Sequence, residues 1–143
     1  MSGERNRAAD SGASGAVRVS GIDHIVLTVA DMERTCDFYR RILGMEVVLF
    51  DGGRRALTFG DQKINLHQQG AEVKPNARTA APGTADICFV TDSPMESVVA
   101  TLDHVLVPVE VGPVPQTGAR GAMTSVYIRD PDGNLVEVAR YDA

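Results

Sequence analysis

The stretch from Gly21 to Gly44, GIDHIVLTVADMERTCDFYRRILG, decides how the rest of the chain is read. Its first part is rich in Ile and Val and is bounded by turn-forming residues, the composition of a β-strand. Asp31 then stands where a helix needs a side-chain acceptor for its first free N–H groups. Met32, Cys36, Tyr39 and Leu43 recur at helical spacing on one face. Gly44 supplies the left-handed residue that closes many helices. The stretch therefore predicts a strand, a helix and a sharp stop.

Working outward, MEVVLF (45–50) reads as a second strand and DGGRR (51–55) as a turn. ALTFG (56–60) and QKINLHQQ (62–69) are a third and a fourth strand, so the order is β-α-β-β-β. GAEVKPNARTAAPG (70–83), with two prolines and several small residues, is a linker. The order then repeats. TADICFVTD (84–92) is a strand; Ser93, Pro94 and Glu96 offer an N-cap, a first-turn proline and a capping-box partner. The helix MESVVATLDHV (95–105) turns Met95, Val98, Val99 and Leu102 inward. VPVEVGPV (107–114) is a strand and PQTGARG (115–121) a loop. MTSVYIRD and NLVEVARY are strands joined by a Pro-Asp-Gly turn. Residues 1–17 are polar and small, have no apolar signal-peptide core, and are expected to form a flexible tail. The expectation is one α+β domain over 18–143: module one at 21–69, the linker at 70–83 and module two at 84–141.

Composition narrows the function classes. With 43% apolar residues the 143-residue chain can build a sizeable core. No segment approaches the ~20 consecutive apolar residues of a membrane span. Fourteen basic against nineteen acidic side chains give a net charge of −5. A chain this acidic lacks the basic stripe that phosphate backbones select, so nucleic acid is not an expected partner. Cys36 and Cys88 form no CxxC pair, which suits a reducing, cytoplasmic compartment.

Laying the second half over the first places His24 on Asp86. Laying GDQKINLHQ over DPDGNLVEV places His67 on Glu137. Strand parity separates an apolar face (Ile25, Leu27 and Val29) from one bearing His24, Val26 and Thr28. In the second module Ile87 and Phe89 likewise oppose Asp86 and Cys88, and Val136 and Val138 oppose Glu137. If the two units pair their sheets, the polar faces line one cup. A lone histidine or carboxylate in a strand is more often a satisfied or solvated group, and Asp86 also reads as the polar start of its strand. Four polar residues at matching places instead suggest one shared divalent ion. Two imidazoles with carboxylates suit Fe, Mn, Ni, Co or Zn. A cation would also explain a carboxylate, Glu137, inside an apolar strand.

The segments IDHIVLTVADMERTCDFYRRILGMEVV, FGDQKINLH, DICFVT and IRDPDGNLVEV resemble the vicinal oxygen chelate superfamily. That superfamily includes glyoxalases, fosfomycin-resistance enzymes, extradiol dioxygenases and bleomycin-resistance proteins. The likeness is nearest to glyoxalase-domain proteins of unassigned substrate. It implies two βαβββ modules paired into a curved, cup-like mixed sheet with helices outside, commonly in a homodimer, with the cup built within one chain or across two. It implies metal ligands at His24, His67, Asp86 and Glu137, although relatives usually carry Glu or Gln in place of His67 and His in place of Asp86. It implies Glu137 as the proton-moving carboxylate and Tyr127 as a substrate contact. The implied activity is a metal-dependent lyase or isomerase acting on a small molecule with neighbouring oxygens. An extradiol-type Fe(II) dioxygenase and a metal-free binding or resistance protein are the alternatives.

Overall fold

Asp31 does cap the first helix: its carboxylate accepts the Arg34 N–H at 3.1 Å, and Gly44 closes the other end at φ 67°. This helix, α1 (Met32–Leu43), follows strand β1 (His24–Val29) and precedes β2 (Glu46–Phe50), β3 (Arg54–Phe59) and β4 (Gln62–Gln68). The second module repeats the plan with β5 (Asp86–Val90), α2 (Met95–His104), β6 (Val111–Gly118), β7 (Gly121–Arg129) and β8 (Leu135–Tyr141). The computed structural model describes residues 16–143, so nearly all of the expected tail over 1–17 lies outside the described residues.

Each module forms a four-stranded mixed sheet. The orders are β1-β4-β3-β2 and β5-β8-β7-β6, with β1–β4 and β5–β8 parallel and the other pairs antiparallel. The α+β class with two βαβββ units is thus as the sequence implied. Among the described residues the two sheets are not hydrogen-bonded to each other, so β1 and β5, like β2 and β6, are edge strands.

The apolar faces share one core. Tyr39, Leu57, Ile64, Leu102, Val126, Ile128 and Val136 are fully buried within it. Phe89 of module two meets Phe59 and Tyr39 of module one edge-on, with ring centroids 5.4 and 6.3 Å apart. Such aromatic pairs each add about 0.5–1.5 kcal/mol beyond burial. A polar clasp reinforces the join. Asp130 accepts the Tyr39 hydroxyl at 2.7 Å, the Asn134 amide, and the backbone N–H groups of Asp132 and Asn134. Burial, then the Asp130 charge, pushes the Tyr39 phenol far above its ordinary value, so it stays a donor.

Three local expectations are corrected. The capping box of α2 does not form: Pro94 is the cap residue and no side chain bonds there, while Thr91 Oγ1 accepts the Ser93 N–H instead. The strand expected at 107–114 begins at Val111, and the expected loop at 115–121 is largely strand and hairpin, with Gly118 paired to Gly121. Prolines 113 and 115 both lie within β6, which is an edge strand, where a missing N–H costs no ladder bond. Arg54 and Arg55 belong to β3 rather than to the preceding turn.

Candidate functional site

Module two gathers one half of the site on the face turned away from the core. Glu137 lies opposite Cys88 on β5 and opposite Tyr127 on β7. Its Oε2 accepts the Ser125 hydroxyl at 2.6 Å, and Ser125 is itself fully buried. One carboxylate oxygen is thereby held, with the Cys88 thiol and Tyr127 phenol beside the carboxylate. Asp86 starts β5 two residues before Cys88 on the same face. Partial burial, then the Glu137 charge, pushes the Cys88 thiol up to about 11. Desolvation, then Glu137, raises the Tyr127 phenol, so both groups are protonated and uncharged at neutral pH.

Module one carries the other half. His24 Nδ1 lies 2.8 Å from Asp23 Oδ1, a contact that orients the ring and leaves Nε2 free. The register corrects the superposition made from sequence. His24 pairs with Lys63 and Asp86 with Leu135, so Asn65 occupies the place equivalent to Glu137, and His67 the place equivalent to Ala139. His67 sits beside Thr28, four residues beyond His24 on the same face, or roughly 13 Å along the strands.

His67 is 4% exposed, and among the described residues neither ring nitrogen has a hydrogen-bond partner. The side-chain oxygen of Asn65, 5% exposed, is likewise unpartnered. Each such atom costs about 1–3 kcal/mol if nothing satisfies it. Desolvation, then the charge of Arg54, lowers the His67 pKa, so the ring is neutral at pH 7. A larger cavity, about 360 Å³, lies on the helix side between Phe59, Phe89, Leu102 and Val138, away from every candidate ligand.

Within one chain, the four candidate ligands stay in separate groups. Among the described residues no three His, Cys, Asp or Glu side chains lie close enough to share an ion. The helix-bearing faces pack on each other, and the site-bearing faces of β1 and β5 turn outward. Val26 is 45% exposed and Val90 58% exposed on those free edges. Lys63 Nζ and the Arg54 guanidinium approach the Phe50 ring at 4.0 and 4.7 Å on the same face of module one. His104, the chain's third histidine, is exposed at the end of α2. No helix among the described residues is long and apolar enough to cross a membrane.

Sequence reasoning missed Ser125 and Asp23 as partners in the site, and Asn65 as the residue in register with Glu137. Ser125 shares strand parity with Tyr127, and Asp23 adjoins His24, so both were within reach. The place of Asn65 depends on the parallel register, which no local pattern encodes.

Two mixed sheets of β-α-β-β-β order, each with polar residues on the face away from its helix, define a class of small-molecule-handling folds. The chain belongs to the Glyoxalase/Bleomycin resistance protein/Dioxygenase superfamily, whose profile matches residues 21–138. It is 49% identical over 123 residues to Virulence protein STM3117 of Salmonella typhimurium, covering 86% of this chain and 85% of that protein. The crystal structure of that protein superposes with a TM-score of 0.87 at 48% identity, covering 88% of this chain and all of the other. Glyoxalase domain-containing protein RDO1 of Mycosarcoma maydis is also 49% identical over 123 residues, covering 86% of this chain and 69% of its own. Lactoylglutathione lyase from Agrobacterium tumefaciens superposes with a TM-score of 0.67 at 31% identity, covering 86% of this chain and 95% of the other.

Proposed function

We propose that the protein is a metal-dependent lyase or isomerase of the glyoxalase type whose site is completed by a second copy of the chain. In this reading His24 of one chain meets Asp86 and Glu137 of another around one divalent ion. The observation that carries it is the separation of the two half-sites on outward faces beside free strand edges. The 31% likeness to a lactoylglutathione lyase supports the reaction class.

The donor set fits a metal of the Fe, Mn, Ni, Co or Zn group: one oriented imidazole with a free nitrogen and two carboxylates. Such an ion supplies Lewis-acid polarisation of two neighbouring substrate oxygens. The chain's own residues do the rest. Ser125 fixes one oxygen of Glu137, leaving the other to take and return a substrate proton. Tyr127, cross-strand from Glu137 and protonated, donates a hydrogen bond to substrate. The register separates His67 from His24, so in this reading His67 stands outside the ligand set. The extradiol alternative has no added support, because the remaining imidazole, His104, is exposed on α2.

Mixing two inactive variants tests the composite site. His24→Ala and Glu137→Gln chains each lose Mn²⁺ binding alone. Refolded together, they form mixed dimers in which one of the two sites has both native residues, and calorimetry detects recovered Mn²⁺ binding. A site confined to one chain gives no recovery.

A further inference from the structure

Helix α2 covers its sheet less completely than α1 does. Helix α1 buries Thr35, Cys36, Phe38 and Tyr39, whereas α2 buries Leu102. Met95, Val98 and Val99, which the periodicity turns inward, are only partly buried. Ser97 and Thr101, one turn apart on α2, border the space left uncovered and are too small to fill it. That space is the cavity of about 360 Å³ on the helix side, lined by residues of both modules. It is separate from the cavity of about 260 Å³ at His67, which lies under the connecting segment on the face of the candidate ligands. Met45 and Phe59 of module one and Phe89, Leu102 and Val138 of module two give the larger cavity its apolar surface. Phe59 and Phe89 meet edge-on there yet stay only partly buried, so part of their ring surface is uncovered. The hydroxyl-bearing Thr91, Ser93, Ser97 and Thr101 line it as well, all from the end of β5 and from α2.

We propose that this helix-side cavity is a second binding site, for an uncharged aromatic molecule that carries a single hydroxyl group. Four features select that chemistry. Among the described residues no charged side chain lines the cavity, so an anion or a cation would be desolvated there without a counter-charge. The two uncovered phenylalanine rings offer edges and faces to a third ring, the arrangement aromatic groups prefer. The serine and threonine hydroxyls each donate and accept, so they satisfy one hydroxyl of an occupant in either role. The volume stands at the lower end of the roughly 300–1,000 Å³ of small-molecule sites, which suits one ring with a short substituent. The site lies where two packed units meet, a common place for ligand pockets. All of its lining comes from one chain and excludes every candidate metal ligand, so the inference does not depend on the metal reading.

The test follows the full chain by NMR, with labelled methyl groups and backbone amides. The probes are benzyl alcohol and toluene, with benzoate and benzylammonium as charged counterparts of similar size. Benzyl alcohol should saturably shift the methyl signals of Met45, Leu102 and Val138 and the amides of Ser97 and Thr101. Benzoate and benzylammonium should bind at least roughly tenfold more weakly. Removing two hydroxyls with Ser97→Ala and Thr101→Val together should weaken benzyl alcohol by roughly three- to tenfold and leave toluene unchanged. Ser97→Phe, at an exposed helix position, should fill the space and abolish the shifts for both neutral probes. Glu137→Gln should bind benzyl alcohol as the native chain does. Absence of saturable shifts at the cavity residues, or equal binding of benzoate, overturns the proposal. So does a double variant that loses toluene as much as benzyl alcohol. Loss of the response in Glu137→Gln overturns it too, by placing the probe in the other site. If no probe binds and Ser97→Phe turns dimer to monomer in sedimentation, the cavity is a contact between copies and the proposal falls. Failure of the mixed-chain experiment with benzyl alcohol still bound would remove the metal reading and leave this one intact.

Discussion

Two side chains of opposite character define the site at the scale of single residues. Glu137 is a carboxylate with one oxygen held by Ser125, and the Cys88 thiol and Tyr127 phenol stand beside it. His67 is an imidazole with nothing held at all. Its burial has a consequence for stability. Desolvation lowers its pKa in the folded protein below the unfolded value of about 6.5, so below that pH the unfolded chain binds the extra proton. The His67 contribution to stability is therefore present above the ordinary histidine range and declines as pH falls through it. Urea midpoints measured across that window should drop with acid for the native protein, and the drop should be shallower in His67→Leu. Both histidines are recognisable in the sequence as unusual residues in apolar strands. Their separation is not, because it follows from pairing His24 with Lys63 across a parallel ladder formed by segments far apart in the chain.

The elements show how a local irregularity can position a distant side chain. Strand β6 is bulged between Val111 and Val114, and Gly112 takes φ 111° there. A Cβ at Gly112 would meet the Ser125 carbonyl oxygen at 2.5 Å. Only glycine satisfies both the backbone angle and the close approach. Gly112→Ala should destabilise the fold by about 1–3 kcal/mol, read from thermal or urea unfolding. Because Ser125 holds Glu137, the same change should weaken Mn²⁺ binding in the protein that remains folded. The helices were legible for local reasons: α1 carries its cap, its apolar stripe and its glycine stop within one short stretch. Strand β6 was not, since its prolines are tolerated only through its place at the sheet edge, a property of the assembled sheet.

At the scale of the whole molecule, one core joins both modules through their helix-bearing faces and leaves the opposite faces outward. Val26 and Val90 are exposed on the two free edge strands, where a second copy would cover them in the proposed dimer. Val90→Lys should leave the single chain folded, since surface substitutions usually change stability by less than about 0.5 kcal/mol. It should nevertheless convert dimer to monomer in sedimentation and abolish Mn²⁺ binding. An unchanged dimer with full binding would remove the proposed role of the β5 edge.

The sequence by itself determined the element order, the repeat and the superfamily, and it singled out the polar residues proposed to hold a metal. Those properties are written in local periodicity, in caps and turns, and in the rarity of polar groups within apolar strands. Only the tertiary structure decided which of those residues share a neighbourhood. Strand register, edge exposure and the covering of one sheet face by the connecting segment depend on contacts between parts of the chain distant in sequence. Those contacts put Asn65, rather than His67, in the place that matches Glu137. They also left a buried, neutral imidazole over a cavity.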